Sequence, residues 1–237
     1  MSAFKKPRLE CWKMERSMKA LIVLLLLSVL LGCQRSSDQA SSPIAASAVT
    51  KVTEQTGRVV INPQFDAALR FADGLAAVRI GDENTGKWGY IDKQGKMVIN
   101  AQFDDAWSFA EGLAVMRMGG KWGYIDKQGK VVVNPQFDVA HPFVDGLAAV
   151  RIGDERTGKW GYIDKQGKMV ANPQFDVAHP FVDGLAAVRI DEEGTGKWGY
   201  IDKQGKMVVN PQFDAAEPFA EGLAAVRNGD KWSYISR

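Results

Sequence analysis

Lys87-Trp88-Gly89-Tyr90-Ile91-Asp92-Lys93-Gln94-Gly95-Lys96 decides the fold, because the chain repeats it. The same ten residues begin again at Lys121, Lys159 and Lys197, and a shortened copy runs Lys231-Trp232-Ser233-Tyr234-Ile235. Its tryptophans, Trp88, Trp122, Trp160, Trp198 and Trp232, are spaced by 34, 38, 38 and 34 residues. Periods of that size belong to arrays whose units cannot bury an apolar face alone and must stack on their neighbours. Other positions keep the same register: Phe65, Phe103, Phe137, Phe175 and Phe213 each precede Asp, a second Phe follows six residues later, and then come an acidic residue, Gly and Leu. The aromatic residues are the skeleton of the unit.

Each unit has the periodicity of strands. Leu75 to Ile80, Lys87 to Ile91 and Met97 to Ile99 are short β-prone runs bounded by Gly, Asp, Asn or Pro, and no helical stripe is sustained. A side-chain period of two sends Trp88 and Tyr90 to one face and Gly89 and Ile91 to the other. Glycine between two aromatics implies that another backbone or ring lies close over that position. Asp92-Lys93-Gln94-Gly95-Lys96 is a turn, and Asn100, or Asn134-Pro135 one unit on, is expected to end the third strand. The prediction is an all-β domain over residues 57–237, built from five tandem antiparallel β-meanders of 34–38 residues joined by a crossing FDxAxxF segment. Because it starts on a third strand (58–61) and finishes on a second (232–235), two architectures fit. One is an open, curved solenoid; the other is a closed five-bladed, propeller-like ring in which the first strand completes the last sheet.

Ahead of the array, Ala20 to Leu31 is a short apolar run preceded by six basic residues, the pattern of a secretory signal and too short to span a bilayer comfortably. Leu30-Leu31-Gly32-Cys33 resembles the lipobox of bacterial lipoproteins. The resemblance implies a signal peptide over 1–32 and a lipidated Cys33 as the first mature residue, with Gln34 after it implying the outer membrane in a Gram-negative cell. The other cysteine, Cys11, falls in the part that would be removed, so the exported domain has no thiols to pair. Removing 1–32 takes the formal charge from +2 to about −2, which argues against nucleic acid as a partner. Residues 33–56 are rich in Ser, Ala, Gln and Thr and read as a disordered tether reaching about 75 to 80 Å when stretched.

Catalytic chemistry finds few parts. His141 and His179 occupy a position held elsewhere by Leu69, Trp107 and Glu217, which points to structure rather than metal or acid–base work. The carboxylates are periodic. Asp92, Asp126, Asp164 and Asp202 belong to turns, Asp66, Asp104, Asp138, Asp176 and Asp214 follow the first Phe, and the Arg79, Arg117, Arg151, Arg189 and Arg227 row is a candidate to pair with one of these acid rows between units. Five copies of one environment do not supply the two unlike carboxylates of a glycosidase. No catalytic residue, metal or cofactor is expected. The units differ mainly in the loop before Trp, where Asp82, Glu83, Asp154, Glu155, Asp191, Glu192 and Glu193 make three copies longer and acidic; these are the candidate interaction loops. The row Trp88, Tyr90, Trp122, Tyr124, Trp160, Tyr162, Trp198, Tyr200, Trp232 and Tyr234 reads either as packing between meanders or as flat faces for sugars and cations.

Lys-Trp-Gly-Tyr-Ile-Asp-Lys-Gln-Gly-Lys, followed by Val-Ile-Asn-Pro-Gln-Phe-Asp and Glu/Asp-Gly-Leu-Ala, resembles the WG-repeat family of bacterial proteins over Gly57 to Arg237, with Ser233 replacing Gly in the last copy. The resemblance implies an all-β tandem array used for interaction, and variable copy number in that family implies an open solenoid rather than an obligate ring. A weaker likeness to choline-binding cell-wall hairpins lacks one cage wall, because Gly stands beside Trp at Gly89, Gly123, Gly161 and Gly199. The expected function is a non-catalytic protein-interaction scaffold, lipid-anchored in the bacterial envelope, whose partner is another envelope protein. The alternative is a module that binds peptidoglycan or surface polysaccharide through exposed Trp and Tyr. Buried rings would favour the first and a solvent-facing file of rings the second.

Overall fold

The structure is a computed structural model that describes residues 57–191 and 196–237; the signal, Cys33 and tether assignments, and Glu192 and Glu193, lie outside the described residues. Those residues form strands and turns and contain no helix. The first sheet consists of β1 (Ala67–Ala68), β2 (Ala76–Ile80), β3 (Lys87–Ile91) and β4 (Met97–Phe103). The second has β5 (Asp105–Ala106), β6 (Leu113–Met118), β7 (Lys121–Asp126) and β8 (Val131–Phe137). The third has β9 (Val139–Ala140), β10 (Leu147–Ile152), β11 (Lys159–Asp164) and β12 (Met169–Phe175), and the fourth β13 (Val177–Ala178), β14 (Leu185–Ile190), β15 (Lys197–Asp202) and β16 (Met207–Phe213). The fifth has three strands, β17 (Ala215–Ala216), β18 (Leu223–Asn228) and β19 (Lys231–Ser236). Neighbours in sequence are neighbours in each sheet and run antiparallel.

The five meanders are as the repeat predicts, with two adjustments. The crossing segment is not merely a connection: its two residues after Phe-Asp pair with the next strand, as Asp105 and Ala106 do with Arg117 and Met116, and so add a short first strand to each sheet. Nor does Asn-Pro end the last strand. β8 runs through Asn134 and Pro135 to Phe137, and the register against β7 shifts on either side of Tyr124, from Trp122↔Phe137 to Tyr124↔Val133 to Ile125↔Val131. The strand arches there, and Pro135 is tolerated because β8 is the outer strand of its sheet.

That arch explains the glycine beside each tryptophan. A Cβ on Gly123 would lie 2.5 Å from the Val133 carbonyl oxygen and 2.7 Å from the Pro135 nitrogen, and Gly89 and Gly161 are equally close to β4 and β12. The neighbour is backbone, which cannot rotate away. Ser233 occupies the same position in β19, where no fourth strand is present and the residue is exposed.

The hydrophobic core lies between sheets rather than within one. Trp88, Tyr90 and Phe103 of the first repeat cluster with Phe109, Met116 and Ile125 of the second, and the same interleaving recurs at the next three junctions. β19 pairs with β18 alone, so the array is an open solenoid-like stack and not a closed ring.

Gly123→Ala should therefore cost about 1 to 3 kcal/mol, as overpacking against fixed backbone does. Ser233→Ala should stay within about 0.5 kcal/mol. Urea unfolding of the two variants checks both, and equal effects would contradict the arch.

Candidate functional site

The tyrosines of the repeated motif are closed inside the seams. Tyr90, Tyr124, Tyr162 and Tyr200 are essentially buried. Each hydroxyl donates to a backbone carbonyl of the next crossing segment: Tyr90 to Trp107 O at 2.8 Å, Tyr124 to His141 O at 2.8 Å, Tyr162 to His179 O at 2.7 Å and Tyr200 to Glu217 O at 2.8 Å. Each ring also meets the second Phe of that segment, with centroids 4.9 Å apart for Tyr90–Phe109, Tyr124–Phe143 and Tyr162–Phe181 and 5.0 Å for Tyr200–Phe219. The crossing position therefore contributes its carbonyl to the seam, which is why Trp, His and Glu all serve there. Burial pushes the phenol pKa values up, that of Tyr200 to about 12.

The tryptophans are less enclosed. Trp88 is buried, Trp122, Trp160 and Trp198 are half-buried, and Trp232 is exposed. Trp88, Trp122, Trp160 and Trp198 each pack against a neighbouring side chain. The guanidinium carbons of Arg79, Arg117 and Arg151 lie 5.9, 5.5 and 5.8 Å from the centroids of Trp88, Trp122 and Trp160, a cation–π arrangement. On another side Trp107 packs edge-on to Trp122 at 5.9 Å, and His141 and His179 lie 4.7 Å from Trp160 and Trp198. At these three positions the arginines lie over the indoles and make no direct ion pair with the acids after Phe, although Arg117 and Arg151 still act on Asp104 and Asp138 through charge and help to lower both carboxyl pKa values.

Those acids pair with lysine instead. Asp104 accepts from Lys87 Nζ at 2.5 Å and from the Gly119 N–H at 2.9 Å, so one carboxylate ties the end of the first repeat to a loop of the second. Asp138 does the same with Lys121 and Gly153, and Asp214 with Lys197 and Gly229. The lysine hydrogen bond holds the carboxyls of Asp104, Asp138 and Asp214 below the usual range. All of these pairs are partly exposed and screened by solvent; those of Asp104 and Asp138 contribute about 0.2 to 1 kcal/mol each.

The remaining acid rows are also engaged. Asp92 Oδ1 accepts the Gln94 and Lys96 N–H groups within its turn, the role expected of it, and Asp126, Asp164 and Asp202 repeat the pattern. The acidic residue before Gly-Leu has positive φ (Asp73 52°, Glu111 52°), as a two-residue hairpin turn requires, and its carboxylate reaches the glycine N–H of the next repeat's turn: Asp73 to Gly112 at 2.7 Å and Asp145 to Gly184 at 2.9 Å. Sequence reasoning missed this ladder, although the unvarying acid–Gly pair carried the signal.

Among the candidate interaction loops, Asp82 and Asp154 turn inward on their own loops. Asp82 accepts from Asn84 N, Thr85 N and the Thr85 hydroxyl, which lowers its pKa to about 2; Asp154 binds Arg156 and Thr157 in the same way. Asp191 bonds Arg189 and the Gly196 N–H. Glu83 and Glu155 stand exposed at the loop tips. Ile80, Met118 and Ile152, the last residues of β2, β6 and β10 before the connection to the Trp strand, are exposed apolar side chains at equivalent positions that the strand pattern alone did not reveal. Among the described residues no cluster of three or more His, Cys, Asp or Glu is placed to hold a metal.

His141 and His179 carry the clearest pH signature. Burial lowers both pKa values, that of His141 to about 4 with Arg151 and His179 adding to the effect, while Glu217 opposes the shift at His179; neither Nδ1 has a hydrogen-bond partner. With the folded pKa depressed, the unfolded chain binds more protons below its ordinary value near 6.5. Stability is then complete above that pH and declines as pH falls toward 4. The lysine-paired aspartates contribute their own loss only at lower pH, as pH falls from the unfolded carboxylate value. Thermal melts should show a decline between pH 7 and 5 that is flatter, by on the order of 1 kcal/mol, when His141 and His179 are both changed to Gln. Parallel profiles would show that the histidines are not the cause.

Comparison with known proteins gives one repeat family. The WG containing repeat matches at residues 54–83, 88–122, 122–155, 160–193 and 198–232. No curated protein matches. Among solved structures, the crystal structure of the tricorn protease aligns at 14% identity and a TM-score of 0.33, over 71% of this chain and 21% of that one, a likeness too slight to carry an argument. The five matched segments lie between residues 54 and 232 and cover most of the array, and the chain belongs to the WG containing repeat family.

Proposed function

We propose that this chain is a lipid-anchored lipoprotein of the bacterial envelope whose repeats act as a non-catalytic scaffold for another envelope protein. The observation that carries the reading is the closure of the repeated rings: four of the five motif tyrosines are buried in seams, and four of the five motif tryptophans pack against arginine, histidine or a second tryptophan. A sugar platform needs free ring faces. Among the apolar side chains left at the surface are Ile80, Met118 and Ile152, beside loops that differ between repeats. Exposed apolar side chains rimmed by polar loops on a rigid scaffold suit a protein partner. The anchor rests on Leu30-Leu31-Gly32-Cys33 behind a basic flank and apolar run.

The glycan reading keeps one supporting observation, the half-buried edges of Trp122, Trp160 and Trp198. Two measurements separate the possibilities. Cells fed a labelled fatty acid should mark the full chain and fail to mark Cys33→Ala; equal labelling would remove the anchor. Isolated cell-wall sacculi should not co-sediment the chain at micromolar concentration above a no-sacculus control, and co-sedimentation would favour the glycan.

A further inference from the structure

The two ends of the array expose opposite halves of the same seam. Tyr234 is the fifth motif tyrosine, yet it is 73% exposed, because no crossing segment covers it. Phe71 is the first of the second-Phe positions and is 41% exposed, whereas Phe109, Phe143, Phe181 and Phe219 are buried against a tyrosine of the preceding repeat. The staple is divided in the same way. Asp66 accepts the Gly81 N–H at 2.8 Å, as its counterparts accept theirs, but among the described residues no lysine meets it, and Lys231 is exposed with no acid against it.

The strands complete the pattern. Arg58 to Phe65 (RVVINPQF) repeats Lys130 to Phe137 (KVVVNPQF), the segment that includes β8. Its Ile61 packs over Gly95 as Ile99 packs over Gly129 and Val133 over Gly167. This segment therefore sits where the fourth strand of a preceding sheet would sit, with Val60 80% exposed and no third strand beside it. β19 is a third strand without a fourth.

We infer that the two ends are halves of one head-to-tail self-association surface, occupied by a second copy of this chain, and that Ser233 holds the contact weak. The register follows from β3 and β4, where Trp88 opposes Phe103, Tyr90 opposes Ile99 and Ile91 opposes Met97. Across two copies Trp232 opposes Phe65, Tyr234 opposes Ile61 and Ile235 opposes Val59. Tyr234 then reaches the Leu69 carbonyl and Phe71, and Lys231 reaches Asp66. A bare sheet edge that meets its own missing strand is a template for pairing, and a heterologous contact of this kind extends rather than closing as a dimer. Ser233 opposes it. At the equivalent glycines any Cβ collides with the arching fourth strand, so the serine must push the incoming strand aside.

The test is photo-crosslinking in cells with the full chain carrying p-benzoylphenylalanine in place of Ser236, co-expressed with a differently tagged full chain. In the Ser233→Gly background an adduct of twice the chain mass bearing both tags should increase at least tenfold over the Ser233 chain, with the link in residues 57–61 of the other copy. Phe71→Asp in the second chain should reduce that adduct at least tenfold. This residue is at the exposed end of the array, and unchanged thermal unfolding of the variant confirms that it folds. An adduct no more abundant with Ser233→Gly, or a link to residues 57–61 within the same chain, overturns the proposal.

Discussion

The seam between consecutive repeats depends on one tyrosine. Its ring lies between sheets and its hydroxyl bonds a carbonyl that no strand pairing would otherwise satisfy at that spot. The ring supplies most of the stabilisation: an aromatic side chain buries about 150 to 250 Å², worth roughly 4 to 6 kcal/mol as an upper bound. The hydroxyl bond adds about 0.5 to 1.5 kcal/mol net, and the edge contact with Phe a similar amount. The Lys–Asp staple outside the seam is smaller and screened by salt. Burial therefore provides the energy of stacking, and the hydrogen bond and staple fix its register.

The invariant and variable positions follow from that division. Tyr, Phe and the glycine beside Trp touch the neighbouring repeat or the arching strand through shape, and substitutions there meet buried atoms. The crossing position bonds the tyrosine through a backbone carbonyl, which any residue carries, so Trp107, His141, His179 and Glu217 all satisfy it. Ser233 stands where no fourth strand constrains it. Recognition is then left to what the seams do not use, the loop tips and the apolar row at their mouths.

Much of this was legible in the sequence. The period of the tryptophans gave five β-meanders, and glycine between aromatics correctly implied a backbone lying over it. The strand alternation did not reveal the arch, because Asn-Pro reads locally as an end and only the outer-edge position lets the strand continue. That arginine lies over the indole while lysine makes the ion pair with Asp104 and Asp138 depends on side-chain orientation that spacing does not encode. Asp82 and Asp154 looked available because their loops are polar, but an Asx turn engages such carboxylates with the backbone around them. The exposure of Ile80, Met118 and Ile152 could not be read from their apolar strands, because composition does not say which strand end reaches the surface.

Backbone hydrogen–deuterium exchange of a Tyr162→Leu chain tests most directly whether the tyrosine holds the stack. The variant keeps an apolar side chain while losing the hydroxyl bond to His179 O and the edge contact with Phe181. Because each repeat is stabilised by its neighbours, exchange should accelerate from β11 to β14, on both sides of the seam, and stay unchanged in β2, β3 and β18. Unaltered protection across the third and fourth sheets would contradict the account.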